Sequence, residues 1–226
     1  MKYRAIIFDL GGTLSRSAPW SVYREMARKM AAVCSAPTDE FVEKWFSESS
    51  GLGTGEYKSF NEYISHICKL LRLEVPENLI NLAGKMPVSV DREYVIKPRE
   101  DALEVLPYLK TNGYKIGLIS DCAPGLPELW PESLFAPHFD VTVFSCVEGM
   151  NKANPAIFRI ALKKLGVEPE YCIYVADGMR NELANAEKLG MKSLQLFVPE
   201  EREDSPIREN WQGPKINSLK EILECV

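Results

Sequence analysis

The feature that most constrains this chain is an alternation. After Pro98, short apolar runs at 116–119, 141–144, 172–175 and 193–198 are separated by segments of helical periodicity at 102–110, 155–165 and 180–189. Strands joined through helices in this way run parallel, connect by right-handed crossovers, and bind ligands outside their carboxyl ends. A further apolar run at 3–8, rich in β-branched residues, stops at Asp9 and a Gly11-Gly12-Thr13 turn. It predicts a buried strand that delivers an acid to a loop. The expected class is α/β, a Rossmann-like doubly wound parallel sheet.

Between 17 and 90 the period changes. Tyr23, Met26, Ala27, Met30 and Val33, then Phe41, Val42, Trp45 and Phe46, then Tyr63, Ile64, Ile67, Leu70 and Leu71 recur at i, i+3 and i+4. Each set is one apolar helix face. Ser59 with Glu62 three residues on is a capping box, and Pro76 suits a helix start. The spacing predicts four helices without strands, connected by Ser35-Ala36-Pro37 and by a glycine-rich stretch at 50–55. They form a single helical insert after the first strand, over 16–90, with 1–15 and 91–226 as the α/β part. Pro107 predicts a kink or early end in the helix at 102–110. Residues 200–215 are expected to be irregular, and a last helix is expected over 218–225.

Composition narrows the partners. A length of 226 residues suits one domain with a smaller companion. The net charge of −5 disfavours nucleic acid and anionic lipid. Six cysteines without C-x-x-C spacing are expected to be free thiols, buried where they adjoin strands. The run at Ala5–Phe8 is too short for a signal peptide, and no apolar stretch approaches the ~18 residues of a membrane span. The expected home is the cytoplasm, as a monomer or homodimer.

The rule about strand ends selects the candidate site. Asp9 ends the first strand, Ser120 and Asp121 the second, and Asp177 the fourth, while Lys152 precedes the helix opened by Asn154-Pro155. Two carboxylates, a hydroxyl and an ammonium converging on one crevice suit phosphoryl transfer. An Asp can attack phosphorus, and a second carboxylate can share Mg2+ with it. Ser and Lys can hold the equatorial oxygens, with loop amides near Gly12 and Thr13 as further donors.

These residues carry a resemblance. Ile7-Phe8-Asp9-Leu10-Gly11-Gly12-Thr13-Leu14 resembles the first motif of the haloacid dehalogenase (HAD) superfamily, and Leu118-Ile119-Ser120-Asp121 resembles the second. Lys152-Ala153-Asn154-Pro155-Ala156-Ile157-Phe158 is similar to the third, and Val175-Ala176-Asp177 with Glu182 to the fourth. The order matches and covers nearly the whole chain, and an insert after the first motif is similar to the helical-cap subgroup. The resemblance implies a magnesium-dependent phosphatase for a small phosphorylated substrate. Asp9 would be nucleophile and metal ligand, with the Gly11 carbonyl and Asp177 completing the ligands. Ser120 and Lys152 would bind the phosphoryl group, Lys152 steadying Asp9, and Glu182 would stand behind the metal waters.

The departures bear on chemistry. Phosphatases of this family carry a second Asp two residues after the nucleophile, where it protonates the leaving alcohol, and this chain has Gly11 there. Losing a general acid typically costs about 10²–10⁴ in rate. Ala153 replaces a usual Pro, Ala176 a usual Gly and Glu182 a usual Asp. Asp121 adds a negative charge and is an alternative proton donor. A 2-haloacid dehalogenase, which needs no leaving-group acid, and a weakly catalytic ligand- or partner-binding protein are the competing readings.

Other candidates have plainer roles. Gly51-Leu52-Gly53-Thr54-Gly55 follows no strand and is expected to connect helices rather than cradle phosphate. His66 and His138 lack metal-ligand partners at useful spacing. Cys122 is expected near the site without a base to activate it. Trp20 and Arg16 are expected at the substrate pocket or in the insert's core.

Overall fold

The computed structural model describes residues 2–201 and 207–226. Its centre is a six-stranded sheet. The strands are β1 (Ala5–Phe8), β2 (Lys115–Ser120), β3 (Val141–Phe144), β4 (Cys172–Ala176), β5 (Lys192–Leu196) and β6 (Lys215–Ile216). They run all parallel in the order β3-β2-β1-β4-β5-β6. The alternation along each strand decides which core a side chain joins. Ile6 and Phe8 pack with Ile116, Leu118, Ile173 and Val175 on one face, and Ala5 and Ile7 with Tyr174 and Ala176 on the other. Both faces are therefore buried, which is why these strands read as unbroken apolar runs.

Helices cover the two faces. Ahead of them in the chain come five helices of the insert: α1 (Trp20–Val33), α2 (Thr38–Ser47), α3 (Ser50–Gly53), α4 (Phe60–Leu70) and α5 (Glu77–Val90). The sheet carries α6 (Glu100–Thr111), α7 (Gly125–Leu129), α8 (Ser145–Glu148), α9 (Ala156–Leu165) and α10 (Glu182–Lys188). From α6, Ala102, Val105, Leu106 and Leu109 seal the first face, and from α9, Ile157, Phe158, Ala161 and Leu165 seal the second.

The insert has its own core, separate from the sheet. Met26, Met30, Phe41, Trp45, Tyr63, Ile64 and Ile67 cluster there, and the Tyr63 hydroxyl donates to the Trp45 carbonyl at 2.5 Å. The predicted cap at Ser59 forms, its Oγ accepting from the Glu62 amide at 3.2 Å. The Glu62 carboxylate turns to the Lys58 amide, at 2.7 Å, rather than to Ser59. The two chain segments linking insert and sheet lie side by side. Ser15 bridges Pro98, and the Arg99 amide donates to the Leu14 carbonyl at 2.8 Å.

Several expectations are corrected. The stretch at 50–55 is not all connector, since α3 makes one helical turn of it. Of the kink or early end expected at Pro107, the early end does not occur: the helix runs on to Thr111, with buried Leu106 and Leu109 holding both flanks. α5 continues as a π-helical turn at Asp91–Val95. Lys215 and Ile216, placed in or after an irregular stretch, pair with β5 as an edge strand too short to show periodicity. Of that stretch, residues 202–206 lie outside the described residues. The C-terminal helix is a 3-10 helix, Leu219–Glu224, capped by Ser218 and Glu221. All six cysteines are free. Among the described residues, no helix is long and apolar enough to cross a membrane.

Candidate active site

Sheet register assembles the site. Phe8 lies opposite Leu118 of β2 and Val175 of β4, so Asp9, Ser120 and Asp177 leave the sheet within a residue or so of one level. Lys152, from the loop before α9, reaches in beside them. Its ammonium donates to Asp9 Oδ1 and lies 2.5 Å from Glu182 Oε2, all three side chains being buried. The Thr13 hydroxyl donates to Asp9 Oδ2 at 2.9 Å, so both Asp9 carboxylate oxygens have donors.

Lys152 is held from both sides. Its amide donates to Asp121 Oδ1 at 2.9 Å, and Asn185 Nδ2 donates to its carbonyl at 3.0 Å. Burial works against its charge, but the Asp9, Glu182 and Asp121 carboxylates outweigh burial and hold the ammonium well above its usual range. Glu182 is saturated. Besides Lys152 it accepts from the Tyr174 hydroxyl at 2.7 Å and from the Gly178 and Met179 amides at 3.1 and 2.7 Å.

The carboxylates press on one another. Burial raises Asp9 to about 7, Lys152 opposing and Glu182 and Asp177 adding to the rise. Burial and Glu182 likewise raise Asp177 to about 6, against Arg208, whose Nη1 donates to Asp177 Oδ2 at 3.1 Å. Burial raises Asp121 as well, and Arg180 Nε stands 3.6 Å from its Oδ2.

The residues fit a hard divalent cation. Oxygens of Asp9, Asp177 and Glu182 lie within 4.8 Å of one another, and buried Asp177 Oδ1 has no hydrogen-bond partner. An orphaned carboxylate oxygen in an all-oxygen cluster is what Mg2+ satisfies. Glu182, already filled by four donors, is the least available of the three.

Two glycines shape the loop after β1. Gly12 adopts φ +78°, and a Cβ there would lie 2.9 Å from Asp177 Oδ2, so only glycine brings the loop against that acid. Gly11 is different. A Cβ there meets nothing nearer than Ser17 Oγ at 3.9 Å, so space for a larger side chain exists.

Above the carboxylates lies a cavity of about 440 Å³. Asp9, Ser120, Lys152 and Asp177 form its floor, and Trp20, Trp45, Leu52 and Phe60 of the insert its opposite wall. Cys122 lines it, as expected from its place after Ser120. Arg16 instead pairs with Glu201 at 3.3 Å in a neighbouring hollow. His66 packs on Tyr57 within the insert, and His138 lies in a 3-10 turn, so neither joins the site. Gly55, φ +70°, packs against the Cys146 carbonyl, where a Cβ would lie 2.0 Å away, and is a close approach of insert to sheet rather than a phosphate loop.

Sequence reasoning missed Tyr174, Asn185, Arg180 and Arg208. Tyr174 sits inside an apolar run and reads as core. Arg208 lies in a polar stretch with no period, and only its charge in a loop near the fourth motif gave any signal.

A family model for haloacid dehalogenase-like hydrolases matches residues 3–190. Glyceraldehyde 3-phosphate phosphatase of Methanopyrus kandleri is 30% identical over 99% of this chain and 97% of its own length. The enzyme of the same name from Methanocaldococcus jannaschii is 24% identical over 99% and 96%. Among solved structures, 2-haloacid dehalogenase from Pseudomonas syringae pv. Tomato superposes with TM-score 0.73 at 17% identity, covering 98% of this chain and 97% of that one. A HAD phosphatase from Thermococcus onnurineus does so with TM-score 0.67 at 20% identity, over 98% and 97%. With its parallel sheet, its four motifs in order and the family match over most of its length, the chain belongs to the haloacid dehalogenase-like hydrolases.

Proposed function

We propose that this hydrolase is a magnesium-dependent phosphatase that works through an aspartyl phosphate on a small phosphorylated metabolite. The observation that carries the reading is the junction of Asp9 with buried Lys152 beside the unpartnered Asp177 Oδ1. Ionised Asp9 attacks phosphorus, and the bond to the ester oxygen breaks on the opposite side. Lys152 and Ser120 hold the equatorial oxygens, and Lys152 keeps the Asp9 carboxylate aimed. Asp9, Asp177 and the Gly11 carbonyl would hold Mg2+, which when bound neutralises charge on the phosphoryl group. Residues 16–90 act as a cap that excludes water and reads the leaving group, over a core of 1–15 and 91–226.

The relatives' names make glyceraldehyde 3-phosphate the first substrate to try. In the presence of Mg2+, wild-type protein should release phosphate from it or from p-nitrophenyl phosphate, and Asp9→Asn should release none. Turnover that survives in Asp9→Asn removes the covalent mechanism. Gly11 favours a second reading, a 2-haloacid dehalogenase, because halide leaves without a proton. Metal-independent halide release from a 2-haloacid would establish it.

A further inference from the structure

The phosphatase reading leaves a proton unsupplied. An alkoxide is a poor leaving group, and the position that would carry its acid is Gly11. In-line transfer sets the geometry for a substitute: with Asp9 attacking from the floor, the departing oxygen points away from the sheet, toward the insert. Each floor carboxyl has a cation beside it, Lys152 at Asp9 and Glu182, Arg208 at Asp177, and Arg180 3.6 Å from the otherwise unpartnered Asp121 Oδ2. Asp121 Oδ1 holds the Lys152 amide, Glu182 holds four donors, and Asp177 Oδ2 holds Arg208.

A further acid lines the cavity where the insert returns to the sheet. Asp91 opens the π-helical turn that continues α5 and, among the described residues, is the lining carboxyl that does not come from the strand ends. A Cβ on Gly125 would stand 3.6 Å from its Oδ2, so the Asp91 carboxyl packs beside the start of α7. Single π turns that interrupt helices frequently mark functional positions. The ionisable groups that face Asp91 are Tyr23 from α1 and Cys122 from the loop after β2, each pushed up chiefly by burial with the Asp91 charge adding to the rise, and neither is a cation. Its neighbour Arg92 turns away to pair with Glu132. Burial raises Asp91 to about 7, so near neutrality much of it carries a proton to give.

Resting on the phosphatase reading, we propose that Asp91 is the general acid and base of this site, taking the role that Gly11 vacates. As the phosphorus–oxygen bond to the alcohol breaks, the Asp91 carboxyl protonates the leaving oxygen and becomes a carboxylate. That carboxylate then accepts a proton from the water that attacks the aspartyl phosphate. Phosphate departs, Asp9 is regenerated as a carboxylate, and Asp91 is again protonated.

Leaving-group dependence tests this directly. With Mg2+, kcat/KM is compared for p-nitrophenyl phosphate, whose phenolate leaves without a proton, and for glycerol 3-phosphate, whose alkoxide does not. In kcat/KM, which ends at release of the alcohol, Asp91→Asn should lose about 10²–10⁴ on the alkyl ester and at most about threefold on the aryl ester, while kcat falls on both because the same group activates the water. Asp91→Glu should restore part of the alkyl activity, and the alkaline fall in wild-type alkyl turnover should vanish in Asp91→Asn. Equal losses in kcat/KM on both esters, or unchanged alkyl turnover, overturn the assignment of Asp91 while leaving the phosphatase reading intact. Wild-type protein inert toward every phosphate ester overturns both.

Discussion

The sheet and the insert solve opposite problems. At the strand ends, charge is concentrated and cross-braced: Asp9, Glu182 and Lys152 are buried together, and Asp121 and Asn185 pin the lysine's backbone. The insert contributes almost no charge to the cavity, only aromatic and aliphatic surface from Trp45, Phe60 and Leu52, with Asp91 at its foot. Groups that must stabilise a transition state have to be oriented before it forms, and a rigid polar network does this. A wall that reads the rest of the substrate needs shape and dryness instead. On the proposed phosphatase reading, chemistry and selection would be separated in the chain as well as in space.

Three substitutions would test that division. The largest effect belongs to Lys152→Met, which strands Asp9 and Glu182 without their cation. It should cost about 3–5 kcal/mol in denaturant titrations, as losing one partner of a buried pair does, and turnover should fall at least about 10³-fold. A milder loss would mean the sheet-side network is less tightly coupled than its geometry indicates. Gly11→Asp comes next. Space at Gly11 permits the side chain, so alkyl-ester turnover should rise, by up to about 10²-fold in an Asp91→Asn background. No gain there would show that the floor cannot take over from Asp91.

The third effect is on the pH dependence of stability. Asp91 rises from 3.8 to about 7 on folding, so between those values the folded protein keeps a proton that the unfolded chain releases. Stability therefore declines as pH climbs through that window, and the deficit is complete above it. Thermal melts should show Asp91→Asn more stable than wild type near about pH 8, with the gap closing toward about pH 4. A gap independent of pH would mean the carboxyl is not held protonated.

Strand ends were legible because a doubly buried strand is an apolar run, and the residue that breaks it is exposed to scrutiny: Asp9, Ser120 and Asp177 were all found this way. Lys152 was legible by its place ahead of Asn154-Pro155. What held them was not. Tyr174 hides in an apolar run because a buried phenol counts as hydrophobic until its partner Glu182 is seen. Arg208 and β6 depend on long-range pairing that no local period encodes. Pro107 misled as to an early end, because burial on both sides carries the helix on to Thr111. Glu182 was found as a residue, but its carboxylate proves to be Lys152's second anchor.

The bridge between Ser15 and Pro98 has a mechanical consequence. Outgoing and returning segments are stitched at one seam, with the Arg99 amide on the Leu14 carbonyl as a second stitch. A body tethered along a single line can swing but hardly slide. A parting of the two halves would turn about that seam like a book about its spine, and would have to release the packing of Gly55 on the Cys146 carbonyl. Asp91 lies in the turn that leads into Pro98, whereas the aromatic wall belongs to the body that would be carried away from the floor.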